Sequence, residues 1–207
     1  MNNKFLFSLV LFLAVGTMVS SCEKEPTFEK PDFKLEEPDE IAAEDYSIYS
    51  LIIERYSSEK IVIAQRSGPG AHLNEDFPFY DNLKNNHTDI DDGLAQTYAE
   101  INASPVHFAN EFSSDSKDVI LLSTEELNYF FGRESHPDAG WEEFYDLYGS
   151  SGGYLGFSRI AYSVDNTQAI LEMSSYAGSL GGEGSIVYLK KVDGEWAIAE
   201  IVTTWIS

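Results

Sequence analysis

The hydrophobic pattern is clearest in the last third of the chain. Four runs rich in β-branched and aromatic residues follow one another there, at 157–164, 169–176, 186–192 and 195–206. The junctions between them are turn chemistry. Asp165-Asn166-Thr167 separates the first two runs and Asp193-Gly194 the last two; an Asp-Gly pair supplies the two positive φ angles of a type I′ hairpin turn. The pattern therefore predicts a four-stranded antiparallel C-terminal meander. Trp196 and Trp205 stand nine positions apart in its last strand, so on an unbroken strand they face opposite sides and at most one lies fully in the core.

Upstream, the apolar period becomes that of helices. Ile41, Ile48, Tyr49, Ile52, Ile53 and Tyr56 form a broad stripe that predicts a helix over 39–57 with Asp39 as its N-cap. Residues 60–65, KIVIAQ, and 119–122 are short continuous apolar runs and predict two buried strands, the first closed by a Ser67-Gly68-Pro69-Gly70 loop. A second helix is predicted over 88–102, capped by Thr88, with Asp89, Asp91 and Asp92 in its first turn where acids complement the helix dipole. These acids do not make an EF-hand, because counting back from Gly93 puts Thr88 and Ile90 at the first and third ligand positions. Ser123 with Glu126 is a capping box opening a helix to Phe131, and 141–148, WEEFYDLY, is a further short helix. Helices clustered ahead of the final sheet predict an α+β fold, with upstream helices packed on the meander and one or two additional short strands.

The amino end has a different character. Lys4, an apolar run over 5–15 and small residues ending in Val19-Ser20-Ser21-Cys22 make a secretory signal, too short for a membrane-spanning helix of roughly 18–20 residues. Residues 19–22 resemble the lipobox of bacterial lipoproteins, which implies cleavage before Cys22 and a diacylglyceryl group on its sulfur. Cys22 is the sole cysteine, so a thioether there avoids a free thiol in an oxidising compartment. Two acyl chains suffice for stable anchoring to a lipid bilayer. Residues 23–38 carry three prolines, nine charges and only three large apolar side chains, a mix that predicts a disordered acidic tether. Acids directly after the lipidated cysteine resemble the signals that send Gram-negative lipoproteins to the outer face of the outer membrane, the periplasmic face being the alternative. The expected organisation is a signal peptide over 1–21, a tether over 22–38 and a single domain over 39–207.

Charge narrows the partners. Removing residues 1–21 deletes only Lys4 and takes the formal net charge from −22 to −23, which excludes nucleic acid. It also leaves the acyl group, not a basic patch, to hold the membrane.

Reactive constellations are sparse. The four histidines are dispersed, and His107 with Glu111 is one pair without a third ligand. No G-x-S-x-G elbow follows a predicted strand, and with 35 acids any carboxylate pair could be nominated. No catalytic residue, metal ligand or cofactor is assigned. Two binding features remain. The glycine-rich stretch 177–184, AGSLGGEG, could form an anion-binding nest from amides such as those of Gly178 and Gly182, with Arg159 nearby. A flexible hairpin loop and an arginine paired to a carboxylate is the simpler reading of the same residues. Phe77, Phe79 and Tyr80, in an aromatic stretch predicted as loop, are the candidate exposed patch for stacking on sugar rings.

The segments 119–127, 140–145, 156–160, 167–169, 193–196 and 205–207, in that order, resemble a widespread family of bacterial exported proteins without assigned function. In that family the glycine-rich stretch usually reads C-G-x-L-C-G, and the two cysteine positions fall here on Ala177 and Gly181. Joint loss of both implies that they pair where they occur. The resemblance supplies no activity. The expectation is a membrane-anchored, surface-exposed, non-catalytic binding or scaffold domain whose partner is a glycan or another envelope protein; the alternative is a small hydrolase of extracellular glycan or peptide.

Overall fold

β1 (Lys60–Ala64) sits between two strands that both run parallel to it, β2 (Asp118–Leu122) and β3 (Tyr154–Phe157). The computed structural model describes residues 32–68, 78–132, 137–149 and 151–207. Beyond β3 the sheet turns antiparallel through β5 (Gln168–Gly178), β6 (Gly181–Val192) and β7 (Glu195–Ile206), giving the order β2-β1-β3-β5-β6-β7. A two-residue strand, β4 (Ala161–Tyr162), also pairs with β5. The predicted short strands thus join the same sheet as the meander and make it mixed.

The first strand of the expected meander is broken. Its backbone is claimed from the sides at Ser158 and Arg159: the Tyr49 hydroxyl donates to the Ser158 carbonyl at 2.8 Å, and Asn102 Oδ1 accepts from the Arg159 amide at 2.8 Å. The Ser158 amide still reaches the Glu172 carbonyl on β5 at 2.9 Å, but with the Ser158 carbonyl and the Arg159 amide satisfied from outside, the ladder ends there. The remaining meander is β5-β6-β7. Asp193 and Gly194 have φ of 54° and 90°, the two positive angles that an Asp-Gly turn makes possible.

Helices cover both faces. α1 (Ala43–Ile53) lies on one, where Ile48, Tyr49, Ile52 and Ile53 pack with Phe108, Phe112, Leu155, Phe157, Leu171, Val187 and Leu189. The other face carries two separate pairs. α2 (Pro78–Asn86) and α3 (Leu94–Ile101) bury Leu83, Leu94 and Tyr98 against Ile170, Ile186 and Tyr188. α4 (Thr124–Phe131) and α5 (Pro137–Tyr148) bury Phe130 and Phe144 against Val62 and Leu122. Side chains alternate along each strand, so Ile61 and Ile63 belong to the α1 face and Val62 to the opposite one.

Three helix starts test the capping arguments. Ser123 Oγ accepts from the Glu126 amide at 3.1 Å, as the capping box requires. Asp39 does not cap α1, which begins at Ala43 behind Ala42; it pairs instead with His107, donating its amide to the carbonyl at 2.9 Å and accepting the amide at 2.8 Å. Thr88 does not cap α3, which begins only at Leu94 behind Gly93. The acids before it have partners of their own: Asp89 binds Lys190 at 2.8 Å, Asp92 binds Lys84 at 2.7 Å, and Asp91 Oδ1 accepts from the Gly93 amide at 2.7 Å. Ion pairs to another element outbid the first turn of the helix.

The domain also begins earlier than its composition predicts. Gln65, buried at the end of β1, donates Nε2 to the Glu36 carbonyl at 2.7 Å and accepts the Glu36 amide at 2.8 Å, the pairing a neighbouring strand would make. Glu36 Oε1 accepts the Thr124 amide at 3.1 Å, and Phe33 packs on Tyr129 with ring centroids 5.2 Å apart. Residues 33–39 are therefore a strap laid across the domain. Only the earlier part of the expected tether lies outside the described residues.

Candidate ligand cleft

The residues singled out from sequence end up apart. Cys22 and Phe77, and the side chain of Phe79, lie outside the described residues. Tyr80 sits in a helix, not a loop; its half-buried ring packs beside Leu83, and its hydroxyl donates to the Asp91 carbonyl at 2.9 Å. Arg159 donates Nη1 to the Ile101 carbonyl at 2.8 Å, closing the C-terminal end of α3 where a cation and a donor are both useful. Glycines 178 and 182 belong to β5 and β6, which meet in a tight turn instead of a glycine-rich loop. Arg159 precedes β4, whose Ala161 pairs with Ile170, eight residues before Gly178 on β5. At about 3.3 Å per residue the guanidinium and these amides cannot form one nest. Positions 177 and 181 do come together, since a β-carbon on Gly181 would sit 3.6 Å from the Ala177 carbonyl carbon.

Those glycines serve another residue. On β7, Trp205 pairs with Gly184. A β-carbon on Gly184 would fall 1.9 Å from Trp205 Nε1, and one on Gly182 2.9 Å from Cζ3, so the indole lies flat across both. Glycines two apart in one strand share a face, and together they make a bare strip on which a bulky ring can rest. That period-2 pair was the signal in the sequence; its meaning depended on a residue about twenty positions later.

Trp205 borders a cleft of about 270 Å³ between the two helix pairs. Its floor is a row of small residues in register across three strands, Gly156 opposite Ser174 opposite Gly184. One row further along, Tyr154, Tyr176 and Gly182 are in register, and the tyrosine rings stack at 4.8 Å and 23°. Trp141 of α5 stacks on Tyr154 at 5.9 Å and 17°, and Tyr176 meets Trp205 at 5.8 Å and 40°. Four partly exposed aromatic rings thus form a file from α5 to β7, and the two at its β7 end, Tyr176 and Trp205, line the cleft.

The opposite side is polar. Glu172 lies two residues before Ser174 on the same face of β5, with Ser158 beside it: the Glu172 amide donates to Ser158 Oγ at 2.8 Å, and the Ser158 amide to the Glu172 carbonyl at 2.9 Å. Behind them stands Tyr98 of α3, whose phenol is pushed well above its ordinary range by burial and by the Glu172 carboxylate. A phenol in that state stays neutral and can only donate or accept a hydrogen bond.

Among the described residues no group of three or more His, Cys, Asp and Glu is placed to hold a metal ion. His107 stands 3.6 Å from Asp39. Fold and cleft together define a mixed-sheet α+β domain with an acidic, aromatic-walled depression on one sheet face. Comparison of the chain with family models, curated proteins and solved structures finds no match.

Proposed function

We propose that this chain is a non-catalytic binding module held on the outer membrane by a diacylglyceryl group on Cys22, and that its ligand occupies the cleft beside Trp205. Its partner is a glycan or another envelope protein. The observation that carries the second half is the pair Gly156 and Ser174, in register on the cleft floor beside Trp205. Glycine inside a strand costs roughly 0.5–1 kcal/mol relative to alanine, and a missing side chain also forgoes packing. Gly156 and Ser174, between the two helix pairs and beside the Trp205 indole that covers Gly184, carry no bulky side chain and make sense as room kept for a ligand.

The sequence supports the first half through the signal, the lipobox-like residues 19–22 and the acids that follow. The same residues support exposure on the outer face of a Gram-negative cell. No helix among the described residues is long and apolar enough to cross a membrane, so attachment in this reading depends on the acyl chains.

Two measurements test the proposal. Mass spectrometry of the native amino terminus should find an acylated Cys22, and Cys22→Ala should move the protein to the soluble fraction; an unmodified terminus removes the anchor. Isolated envelope polysaccharide or protein fractions should change the emission of the wild type and not of Trp205→Ala. Hydrolysis of a labelled polysaccharide or peptide that is lost in Glu172→Gln would select the hydrolase instead.

A further inference from the structure

We propose a second ligand site, on the α1 face of the sheet, that takes one free α-amino acid with an aliphatic side chain, its carboxylate on Arg55 and its ammonium on Glu183. The site is a cavity of about 230 Å³ where the carboxyl end of α1 meets the glycine-rich start of β6. Pockets that enclose drug-sized ligands run to roughly 300–1,000 Å³, so this one suits a smaller molecule.

The lining has an apolar part and two charges. Ile52, Met173 and Ile201 supply the apolar part, and all three belong to the core between α1 and the sheet. Arg55, exposed just beyond α1, supplies a positive charge that enters no ion pair among the described residues. Glu183 supplies the negative one. Its Oε1 accepts from the Ser185 and Thr203 hydroxyls, each at 3.2 Å, which positions the carboxylate and leaves Oε2 able to accept from a ligand. At the same cavity burial and the Glu183 carboxylate push the Tyr56 phenol up to about 12, so it stays neutral and can donate.

Opposite charges that border one apolar cavity without pairing to each other narrow the ligand. A fatty acid would satisfy Arg55 and bring its carboxylate toward Glu183, while an alkylamine would satisfy Glu183 and bring its ammonium toward Arg55. Like charges in a partly water-excluded site repel with little screening. A zwitterion meets each charge with the opposite sign, and being neutral overall it is not turned away by a chain of net charge −22. An α-amino acid carries both groups on one carbon, beside a side chain that reaches Ile52, Met173 and Ile201.

The test uses the full chain in detergent with 13C-methyl-labelled methionine, the Met173 signal being assigned by Met173→Leu. L-Leucine is expected to shift that signal saturably, with a Kd in roughly the millimolar range. 4-Methylpentanoate lacks the ammonium, 3-methylbutylamine lacks the carboxylate and glycine lacks the side chain; each is expected to bind about tenfold more weakly, the order of one charge-assisted hydrogen bond or one buried apolar group. Glu183→Gln should bring leucine and 4-methylpentanoate to within about threefold of each other, and Arg55→Gln should do the same for leucine and the amine. Both residues are exposed, so neither exchange threatens the fold. The proposal is overturned if leucine leaves Met173 unmoved, or if any of the three analogues matches it. Met173 also borders the cleft beside Trp205, so a leucine shift that survives both exchanges undiminished would put the ligand there and overturn it too.

Discussion

A β-carbon on Gly184 would sit 1.9 Å from Nε1 of Trp205, and that contact ties the glycine-rich start of β6 to the end of β7. Gly184→Ala is expected to lift the indole from the strand and cost about 1–3 kcal/mol, as other overpacked sites do. Gly153→Ala should cost more, because there the β-carbon would meet the Tyr176 carbonyl oxygen at 1.8 Å and φ is already +102°. Urea midpoints followed by tryptophan emission order the two variants. A neutral Gly184→Ala would mean that Trp205 is not seated as described.

Glu44 and Asp45 are chain neighbours with opposite pH behaviour. Glu44 accepts from Lys191 and from Trp196 Nε1, each at 2.7 Å, and these bonds hold its pKa below the ordinary 4.5. Its contribution is therefore present above that value and fades as pH falls through the folded-state pKa. Burial raises the pKa of Asp45 above 3.8 despite the Tyr162 hydroxyl donating to it at 2.7 Å, so its charged form opposes folding at neutral pH. Thermal melts at pH 7 should show Glu44→Gln less stable and Asp45→Asn at least as stable as wild type. Both differences should shrink by pH 3. Two shifts of the same sign would contradict this assignment.

The Glu36–Gln65 pairing holds the strap to the domain. Gln65→Leu keeps the side-chain volume close and removes both bonds; a loss of about 1–3 kcal/mol is expected from the unsatisfied partners. Trypsin should then cut at Lys34 faster than in the wild type while the rest of the domain stays intact. An unchanged rate at Lys34 would show that the other ties, Glu36 to Thr124, Asp39 to His107 and Phe33 on Tyr129, hold the strap without Gln65.

Gly194 turns the β6–β7 hairpin at φ of 90°. A side chain in the left-handed region costs about 1–2 kcal/mol, so Gly194→Ala should lower Tm by roughly 2–4 °C per kcal/mol. Asp193→Asn, which tolerates the same conformation, should change Tm little. Calorimetry on the two variants checks both statements.

The two tryptophans of β7 illustrate how sequence reasoning can hold through an irregularity it did not foresee. β7 carries an extra residue at Ala199 and another at Thr204, each of which reverses the alternation of faces. The two reversals cancel. Trp196 packs with Tyr162 on the α1 face and Trp205 lies over Gly184 on the other, and neither is fully buried.

Local chemistry determined most of what could be read in advance. The Asp193-Gly194 turn, the Ser123 cap, strands β1 and β2 and the apolar stripe of α1 each depend on residues within a few positions of one another, where propensity and period act directly. Partners distant in the chain decided the rest. Asp39 and Thr88 lost their predicted capping roles, Asp39 to a pairing with His107 and the acids beside Thr88 to ion pairs with Lys84 and Lys190. Residues 33–39 were ordered by Gln65, although their composition could not bury enough surface to fold alone. The cleft was illegible for the same reason: Gly156, Ser174, Gly184 and Trp205 become neighbours only through strand register, and register is set by the burial of both sheet faces together.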